Sequence, residues 1–505
     1  MDIEHPSRFA ASAPDRPAVI VAGTGDTLTY GELEARSNQV AHALRALGLG
    51  VGDHVAVLME NRVEYFEAVW GAFRAGLYVT PVNWHLAPDE AAYVVDDCGA
   101  GALLASATCA PLVAGATGGF ARIVIGGPAE GFDRYEDVIG AQPTTPIADE
   151  CEGQWMFYSS GTTGRPKGIV PPKVGGPLGA ATTFTALVRG LYGGTEATRY
   201  LSPAPLYHAA PSGWATAVHR LGGTVVTTPR FDPVELLAAI ERHRVTLVQV
   251  VPTHLVRLLK LPEADRARFD LSSLEVLVHA AAPCPPAVKR ATIEWLGPIV
   301  HEYYSGSEGA GFCAIGPEEW LAHPGSVGRS LLGAVHIVGA AGEEVPARTE
   351  GQVWFETGQR FEYHGDPGKT AAAFDERGWS TLGEIGWVDE DGYLYLTDRV
   401  SNMIISGSVN IYPREVEDAL VVHPAVTDVA VIGVADAEMG EAVRAVVEPA
   451  DPPADPDALA AELTAFCRDR IAHYKCPRSV VFVDRLPRLE TGKIARRLLP
   501  REVTA

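Results

Sequence analysis

The chain of 505 residues has a formal net charge of −22, with 47% hydrophobic and 21% charged residues. These proportions are typical of a globular protein, and the negative charge argues against sequence-independent binding of nucleic acid or of an anionic membrane surface. The seven cysteines are scattered, without a C-x-x-C pair or zinc-ligand spacing, so we expect reduced thiols in a cytoplasmic protein with no secretory or membrane segment.

The first 380 or so residues alternate short apolar strands with amphipathic helices. The sequence Thr29-Tyr-Gly-Glu32 has the spacing of a capping box, and apolar residues then recur with helical period from Leu33 to Leu47. Residues 54–59 follow with the pattern of a buried strand. Repeated alternation of this kind predicts α/β layers with largely parallel sheets, and ligands near the carboxyl ends of strands.

The pattern changes from about residue 379 to short strands with acidic turns, and a compact α+β pattern follows Asp398. We place the domain boundary and a hinge at Asp398. Residues 1–397 would then form a large N-terminal domain, and residues 398–505 would form a small C-terminal domain.

The strongest motif follows an apolar, strand-like segment. Its sequence is Tyr158-Ser-Ser-Gly-Thr-Thr-Gly-Arg-Pro-Lys-Gly168. Glycines let backbone N–H groups turn toward an anion, hydroxyls add donors, and Arg165 and Lys167 supply positive charge. The spacing is not that of a Walker A loop. The composition of the whole string favours a phosphate-binding loop over an ordinary surface loop rich in serine, threonine and glycine.

This loop resembles the signature loop of the adenylate-forming superfamily, which includes acyl-CoA synthetases, firefly luciferases and the adenylation domains of nonribosomal peptide synthetases. Further segments resemble other motifs of that family, in the family's order, so the resemblance covers nearly the whole chain. They are Pro205-Leu-Tyr-His208, Ala280-Ala-Ala-Pro283, Glu302-Tyr-Tyr-Ser-Gly-Ser-Glu308, Gly378-Trp-Ser-Thr-Leu-Gly-Glu-Ile-Gly386, the stretch from Asp398-Arg399 to Asn410-Ile-Tyr-Pro413, and Pro487-Arg-Leu-Glu-Thr-Gly-Lys493.

The resemblance implies a large N-terminal domain of α/β layers with a distorted β-barrel, and a small, mobile C-terminal α+β domain. It also implies an AMP-forming ligase of the acyl-CoA synthetase branch, which uses ATP, Mg²⁺ and coenzyme A. A carboxylic acid and ATP would give an acyl-adenylate and pyrophosphate, and coenzyme A would then displace AMP. Because a carboxylate attacking ATP is an anion meeting an anion, cations must neutralise the charge that moves onto pyrophosphate.

The resemblance also assigns roles to individual residues. The ATP-binding set comprises Ser159, Thr162, Thr163, Gly164 and Lys167 in the phosphate loop, Ala282, Tyr304 and Ser307 in the adenine-pocket segments, and Glu384 and Arg399 at the ribose. Thr163 and Glu308 would lie near the Mg²⁺ ion.

Three further residues have roles in the chemistry by the same resemblance. Lys493 would contact the carboxylate and the α-phosphate during adenylation. His208 would gate the passage between the acyl pocket and the pantetheine tunnel. Gly407 would line the path of the thiol in a second conformation of the C-terminal domain.

Four positions depart from the family pattern. Glu384 stands in place of the usual Asp, Ser305 in place of Gly, Ser307 in place of the commoner Thr, and Ser408 in place of the second Gly of Ser-Gly-Gly. The first three keep or add a polar group at the nucleotide site. Ser408 adds a Cβ beside the thiol path, so adenylation is better supported than transfer to coenzyme A.

Several alternatives stay open at this point. The acceptor could be a carrier-protein thiol, an amine or another small nucleophile, or the chain could be a non-catalytic nucleotide-binding homologue. Amino-acid activation is disfavoured, because His208 stands where amino-acid-activating domains have an Asp. The segments 209–214 and 309–312 are small and apolar with a few aromatics, which favours an uncharged acyl or aryl group. A homodimer is left open alongside a monomer.

Overall fold

The predicted alternation of strands and helices organises the computed structural model, which describes residues 3–159, 166–171, 174–399, 402–406, 409–436, 439–488 and 494–501. The chain forms two compact units. The first contains Met1–Val250, Lys260–Val278 and Arg360–Thr370, and the second contains Val251–Leu259, His279–Gln359 and Ala371–Ala505. The domain boundary that we place at Asp398 lies inside the second unit and stays a prediction.

The strands, in chain order, are β1 (Pro17–Val21), β2 (Thr27–Thr29), β3 (His54–Leu58), β4 (Tyr78–Pro81), β5 (Ala100–Ser106), β6 (Ala121–Ile125), β7 (Asp133–Arg134), β8 (Gln154–Trp155), β9 (Phe157–Ser159), β10 (Lys167–Val170), β11 (Arg199–Ser202), β12 (Thr224–Thr227), β13 (Leu247–Val250), β14 (Val276–His279), β15 (Val300–Ser305), β16 (Phe312–Ile315), β17 (Arg329–Leu332), β18 (Ala334–Val338), β19 (Gly351–Glu356), β20 (Glu362–Tyr363), β21 (Glu384–Val388), β22 (Leu394–Arg399), β23 (Ile404–Ser406), β24 (Val409–Ile411), β25 (Val426–Asp436), β26 (Gly440–Pro449) and β27 (Ser479–Phe482).

The α-helices are α1 (Ser7–Ser12), α2 (Tyr30–Ala46), α3 (Val63–Arg74), α4 (Pro88–Asp97), α5 (Tyr135–Ile139), α6 (Thr183–Gly190), α7 (Ala209–Leu221), α8 (Pro233–His243), α9 (Pro252–Leu259), α10 (Glu263–Arg266), α11 (Pro286–Leu296), α12 (Pro317–Ala322), α13 (Pro367–Ala372), α14 (Pro413–Leu420) and α15 (Pro456–Arg468). Short 3₁₀ turns occupy Ala110–Val113, His473–Lys475 and Arg496–Leu498. Throughout the described residues, no helix has both the length and the apolar character needed to cross a membrane.

Parallel sheets form the framework of the first unit. One sheet has the order β7-β6-β5-β3-β4-β8 and is parallel throughout. In another, β13, β11, β12 and β1 follow one another in parallel and β2 closes the edge in the antiparallel direction. The strands are apolar along most of their length, as expected for parallel strands covered by helices on both faces. A small antiparallel sheet, β20-β10-β9, carries the phosphate-loop segment.

The helix predicted after Thr29 is α2, and its capping box is formed. The Thr29 hydroxyl accepts from the Glu32 amide at 3.2 Å, and the Thr29 amide donates to the Glu32 carboxylate at 2.8 Å. Leu33 and Leu44 are buried. The predicted apolar face runs one residue too far, because α2 ends at Ala46 and Leu47 is 43% exposed.

Antiparallel pairing dominates the second unit. β16 pairs with β15 and with β17 in the antiparallel direction, and β18, β19, β21 and β22 form an antiparallel sheet. Near the C-terminus, the sheet β24-β23-β26-β25 receives β27 in parallel beside β26, and apolar residues such as Ile432, Val446 and Leu486 form its core. The predicted fold class, α/β layers followed by a smaller α+β part, is confirmed.

Candidate active site

The two strands that flank the predicted phosphate loop lie side by side in the first unit. β9 and β10 are antiparallel, with Lys167 directly opposite Ser159. The loop between them, and the side chain of Ser159, lie outside the described residues. This loop contains the predicted phosphate ligands Thr162, Thr163 and Gly164. The register brings the two ends of the loop together, and Lys167 lies just beyond the C-terminal end of the loop.

Lys167 pairs with a carboxylate that the sequence analysis does not single out. Its ammonium group donates to Asp366, and the two side chains are 28% and 36% exposed. The hydrogen bond from Lys167 holds the pKa of Asp366 below its ordinary value. The two residues are 199 positions apart, and no motif or spacing in the sequence points to this contact.

His208 lies at the start of α7, where the chain turns from an extended segment into the helix. It is the N-cap residue, with φ −84° and ψ 149°, and it is half-buried. Its ring centroid lies 4.3 Å from that of Tyr207. The Tyr207 ring lies in turn near Trp84, at 6.5 Å between centroids. The predicted gate residue therefore sits at a helix end beside a group of aromatic rings.

Asn61 fixes the segment that leads to His208, and sequence reasoning missed it. Its side-chain oxygen accepts from the Leu206 amide at 2.8 Å, and its amide group donates to the carbonyls of Ala204 and Thr228 at 3.1 and 2.9 Å. Asn61 is buried, so these hydrogen bonds satisfy backbone groups that water does not reach. The one available signal was its place just beyond the carboxyl end of β3.

Tyr65 supports the same segment from α3. Its hydroxyl donates to the Leu206 carbonyl at 2.8 Å and lies 2.6 Å from the Ser212 hydroxyl. Both side chains are buried. The approach to His208 is thus held from two neighbouring elements.

In the second unit, the predicted adenine segment begins with an unusual backbone. Ala281 has φ +72°, a conformation that costs a residue with a Cβ roughly 1–3 kcal/mol. Ala282, three residues beyond the end of β14, is exposed. Nothing in the sequence signalled this strain, because glycine is the residue expected at positive φ.

Tyr304 and Ser305 end β15, and the loop after them carries Ser307 and Glu308. Tyr304 is half-buried, and its ring centroid lies 6.1 Å from that of Phe355. The Ser305 hydroxyl donates to the Gly311 carbonyl at 2.7 Å. The serine that replaces the family's glycine therefore closes this loop. Ser307 is exposed and Glu308 is half-buried, and a carboxylate oxygen is a ligand that Mg²⁺ prefers.

A buried charged cluster anchors β15 two residues before Tyr304. The Lys289 ammonium group, from α11, donates to the Glu302 carboxylate at 2.7 Å, and neither side chain is more than 8% exposed. His279 Nε2 lies 3.5 Å from the same carboxylate oxygen. Burial, with the charge of Lys289, sets the pKa of His279 well below its ordinary value. No motif in the sequence points to this cluster, and lysine is a residue type that is rarely fully buried.

The two predicted ribose ligands face each other across a hairpin. Glu384 begins β21 and lies opposite Arg399, the last residue of β22. Glu384 is buried, and the Arg399 side chain lies outside the described residues. The backbone register therefore brings together two residues that the sequence places fifteen positions apart.

The remaining predicted residues follow Asp398. Its carboxylate accepts from the Asn402 amide group at 3.0 Å and from the Arg414 backbone amide at 3.3 Å. Gly407, Ser408 and Lys493 lie outside the described residues. The segment that contains Lys493 is bounded by an antiparallel bridge between Arg488 and Ile494.

Among the residues that the structure describes, one group of side chains has the composition of a metal site, namely His323, Asp389 and Asp391. Hydrogen bonds within the protein account for its geometry. Asp389 accepts from His323 at 2.9 Å, from the Tyr395 hydroxyl at 3.2 Å, and from two backbone amides, including that of Tyr393 at 2.9 Å. We therefore interpret it as a turn that holds β22.

Comparison with known proteins shows the family of the chain. The profile of the AMP-binding enzyme family matches residues 7–362, and that of the AMP-binding enzyme C-terminal domain matches residues 415–493. The feruloyl-CoA synthase of Amycolatopsis sp is 37% identical over 498 residues, which cover 97% of this chain and 96% of the relative.

Two solved structures are also similar over almost their whole length. The anthranilate CoA ligase AuaEII, in complex with anthranoyl-AMP, has a TM-score of 0.83 and 27% identity, covering 97% of this chain and 95% of that one. The amide bond synthetase McbA from Marinactinospora thermotolerans has a TM-score of 0.80 and 29% identity, covering 97% and 98%. The chain therefore belongs to the AMP-binding, adenylate-forming enzyme family, and the prediction of an AMP-forming acid–CoA ligase that uses ATP, Mg²⁺ and coenzyme A is confirmed.

Proposed function

We propose that this ligase activates an uncharged aromatic carboxylic acid. The observation that carries the proposal is the surroundings of His208: residues 203–218 contain no Asp, Glu, Lys or Arg, and α7 begins there with two alanines. The ring of Phe184 lies so close to α7 that a Cβ on Gly213 would meet it at 2.6 Å. The names of the feruloyl-CoA synthase and the anthranilate CoA ligase specify aromatic acids, which supports an aryl group.

On the ATP side, we assign the phosphates to Lys167 with the loop before it, and Mg²⁺ to Glu308 with Thr163. Tyr304 and Ala282 would contact the adenine. Ser307, which lies in the same loop as Glu308, would belong to the same nucleotide site. Glu384 and Arg399 would bind the ribose. The facing positions of Glu384 and Arg399, and the closure of the Glu308 loop by Ser305, support these assignments.

For the two half-reactions, we propose that the segment after Asp398 takes two orientations. In the first, Lys493 would stabilise the charge that develops during adenylation. In the second, the backbone around Gly407 would line the path of the thiol, and His208 would open that path. A change of φ and ψ at a single element end is how hinges of this kind work.

We further propose a site for the nucleotide half of coenzyme A in the C-terminal part of the second unit. A cavity of about 380 Å³ lies there, lined by residues that include Ser406, Met439, Arg468, Tyr474 and Arg478. Two guanidinium groups suit phosphates, and Tyr474, which is 59% exposed, offers a ring on which a base can stack. Ser406 directly precedes Gly407, so the cavity adjoins the proposed thiol path.

The arginines provide a test of this site. Arg468→Ala and Arg478→Ala should each raise the KM for coenzyme A about tenfold or more, the usual scale for losing a charge-assisted hydrogen bond. Pyrophosphate release without coenzyme A should be unchanged. Arg470→Ala is the matched control, because Arg470 lies against Phe466, 3.4 Å from the ring centroid, and does not line the cavity. An unchanged KM in both cavity variants would contradict the proposal.

The substrate proposal is tested by measuring pyrophosphate release with Mg·ATP over a panel of acids, each with and without coenzyme A. The panel contains hydroxycinnamic and aminobenzoic acids, medium-chain fatty acids and a dicarboxylic aryl acid. We expect kcat/KM to be highest for monocarboxylic aryl acids, with formation of the aryl-CoA thioester. A preference for alkyl acids would overturn the aromatic assignment. Turnover only with an amine or a carrier protein would favour a different acceptor, as the name amide bond synthetase indicates for McbA.

Two further predictions belong to this proposal. The seven cysteines are free thiols, which supports a reducing, cytoplasmic environment. A homodimer stays a prediction, which light scattering on the purified chain would test.

A further inference from the structure

The ammonium group of Lys167 has an anionic partner within the protein, Asp366. Its contact with Asp366 follows from the backbone register of the small sheet that carries the phosphate loop. β20 pairs with β10, with Tyr363 opposite Ile169, and the His364 amide donates to the Gly168 carbonyl at 2.8 Å. Asp366 follows two residues later and so arrives beside Lys167.

Asp366 is held in place independently of Lys167. Its Oδ1 atom accepts from the Lys369 amide at 2.9 Å, and its carbonyl accepts from the Thr370 hydroxyl at 2.9 Å. The Thr370 hydroxyl also accepts from the Tyr363 amide at 2.9 Å. Lysine, by contrast, reaches Asp366 through a flexible four-carbon chain. The carboxylate is therefore the fixed partner in this pair, and the ammonium group is the one that can move.

Because the Lys167 and Asp366 side chains are both partly exposed, separating them costs little free energy. With the two side chains 28% and 36% exposed, water solvates both ions when they separate, and such pairs are weak. A triphosphate offers the same ammonium group several negative charges at once. Lys167 can therefore leave Asp366 when a polyphosphate arrives and return to it when the polyphosphate departs.

We infer that Asp366 is a positioning residue that competes with the polyphosphate for Lys167, so that it weakens the binding of ATP and speeds the departure of pyrophosphate. This inference rests on the proposed role of Lys167 as a phosphate ligand. It goes beyond that role, because it makes one carboxylate a determinant of how tightly substrate and product bind. A residue that only supported the fold would, when removed, weaken binding and not tighten it.

The experiment measures equilibrium binding by calorimetry, with Mg·ATP and magnesium pyrophosphate as the probes, so that it does not depend on the identity of the acid. Asp366→Asn keeps the side-chain oxygen that accepts from the Lys369 amide but removes the charge. We expect this variant to bind both probes about two- to fivefold more tightly, the range of an exposed ion pair. The gain should shrink as salt is added, because salt screens exposed charges.

Two further proteins separate the possible explanations. Asp270→Asn is the matched control, since Asp270 forms an exposed pair with Arg244 at 2.9 Å and accepts from the Ser272 amide; its affinities should equal those of the wild type. In a Lys167→Ala background, Asp366→Asn should change neither affinity. An equal gain in that background would mean that Asp366 acts on the phosphates directly, which overturns the competition.

The outcomes also distinguish the inference from the proposed function. Unchanged ATP affinity in Lys167→Ala alone would remove Lys167 from the phosphate site and refute that part of the proposed function. Weaker binding in Lys167→Ala, together with unchanged or weaker binding in Asp366→Asn, would leave the proposed function intact and refute the inference. Thermal melting of each variant checks that the protein is folded.

Discussion

Two pairs of lysine and carboxylate, one in each compact unit, share their chemistry but differ in their surroundings. Lys167 and Asp366 are 28% and 36% exposed, whereas Lys289 and Glu302 are 0% and 8% exposed. In the exposed pair, each ion is solvated whether or not the other is present. In the buried pair, each ion depends on its partner for nearly all of its stabilisation. The difference in exposure therefore distinguishes the Lys167–Asp366 contact, which can exchange during turnover, from the Lys289–Glu302 contact, which holds β15 in place.

The largest effect should come from breaking the buried pair. Lys289→Met leaves the Glu302 carboxylate buried without its cation, and we expect the free energy of unfolding to fall by about 3–5 kcal/mol. Urea unfolding measures the loss. The double variant Lys289→Met with Glu302→Leu should regain most of it, since an apolar pair of similar volume often replaces a buried ion pair without loss. A loss below about 1 kcal/mol in the single variant would show that the pair is not what anchors β15.

A third lysine, Lys493, differs from Lys167 and Lys289 because we assign it a role in the adenylation step. Lys493→Ala should slow adenylation roughly 10²-fold or more, the scale for losing a preorganised charge-stabilising group. Conversion of supplied acyl-adenylate to thioester should be much less affected. Single-turnover assays of each step measure both rates. Lys475→Ala, which removes a lysine paired with Glu415, is the control for adenylation. Equal slowing of both steps by Lys493→Ala would contradict the two-orientation proposal.

Asn61 extends the comparison to a buried polar side chain without charge. Asn61→Ala leaves the Leu206 amide and two carbonyls without their partner, so the protein should lose about 1–3 kcal/mol of stability. Because that segment leads to His208, the KM for the acid should also rise, by roughly tenfold.

Asn38→Ala is the matched control for Asn61. Asn38 is equally buried in α2 and donates to the Thr144 carbonyl at 2.8 Å, so its loss should lower stability without changing the KM. If both variants change the KM equally, the effect of Asn61 is general destabilisation.

The smallest effect should come from the exposed pair itself. The pKa of Asp366 is lowered by the hydrogen bond from Lys167, so its contribution to stability is present above the pKa of the unfolded chain and is lost as the pH falls through the folded value. Asp366→Asn should therefore lower the melting temperature at pH 7 by about 1 °C or less. The difference should shrink as the pH falls below the ordinary pKa of an aspartate and vanish once the carboxyl is protonated in the folded protein as well. A large shift at pH 7 would mean that the pair is structural.

Local patterns predicted a good part of this molecule. The capping box of α2 and the alternation of the parallel sheets depend on residues within a few positions of one another. The same holds for the flanks of the phosphate loop, where a glycine-rich string follows an apolar strand. The motifs assign Glu384 and Arg399 to the ribose, which stays a prediction, and the β21–β22 register places the two residues opposite each other.

The contacts that could not be predicted are those made by the tertiary fold. Asp366 reaches Lys167 only because β20 pairs with β10 across nearly 200 residues of chain. Lys289 was overlooked because a lone lysine in a helix is expected at the surface. Ala281 adopts a positive φ that its side chain disfavours. An alanine at this position therefore predicts a different backbone conformation from the one observed.

In the hairpin of β21 and β22, the end of β22 carries both a proposed ribose ligand and the residue where we place the hinge. Arg399 lies opposite Glu384, and Asp398, where we place the hinge, is the residue before it. A ribose held by both side chains would tie the end of β22 to β21, and this would restrict the twisting of the strand just where the chain must reorient. Nucleotide occupancy and the orientation of the chain beyond Asp398 would then share a coupling free energy, which is reciprocal by thermodynamic necessity. The orientation that best fits this strand end would bind nucleotide most tightly, and the release of AMP would free the strand for the next cycle.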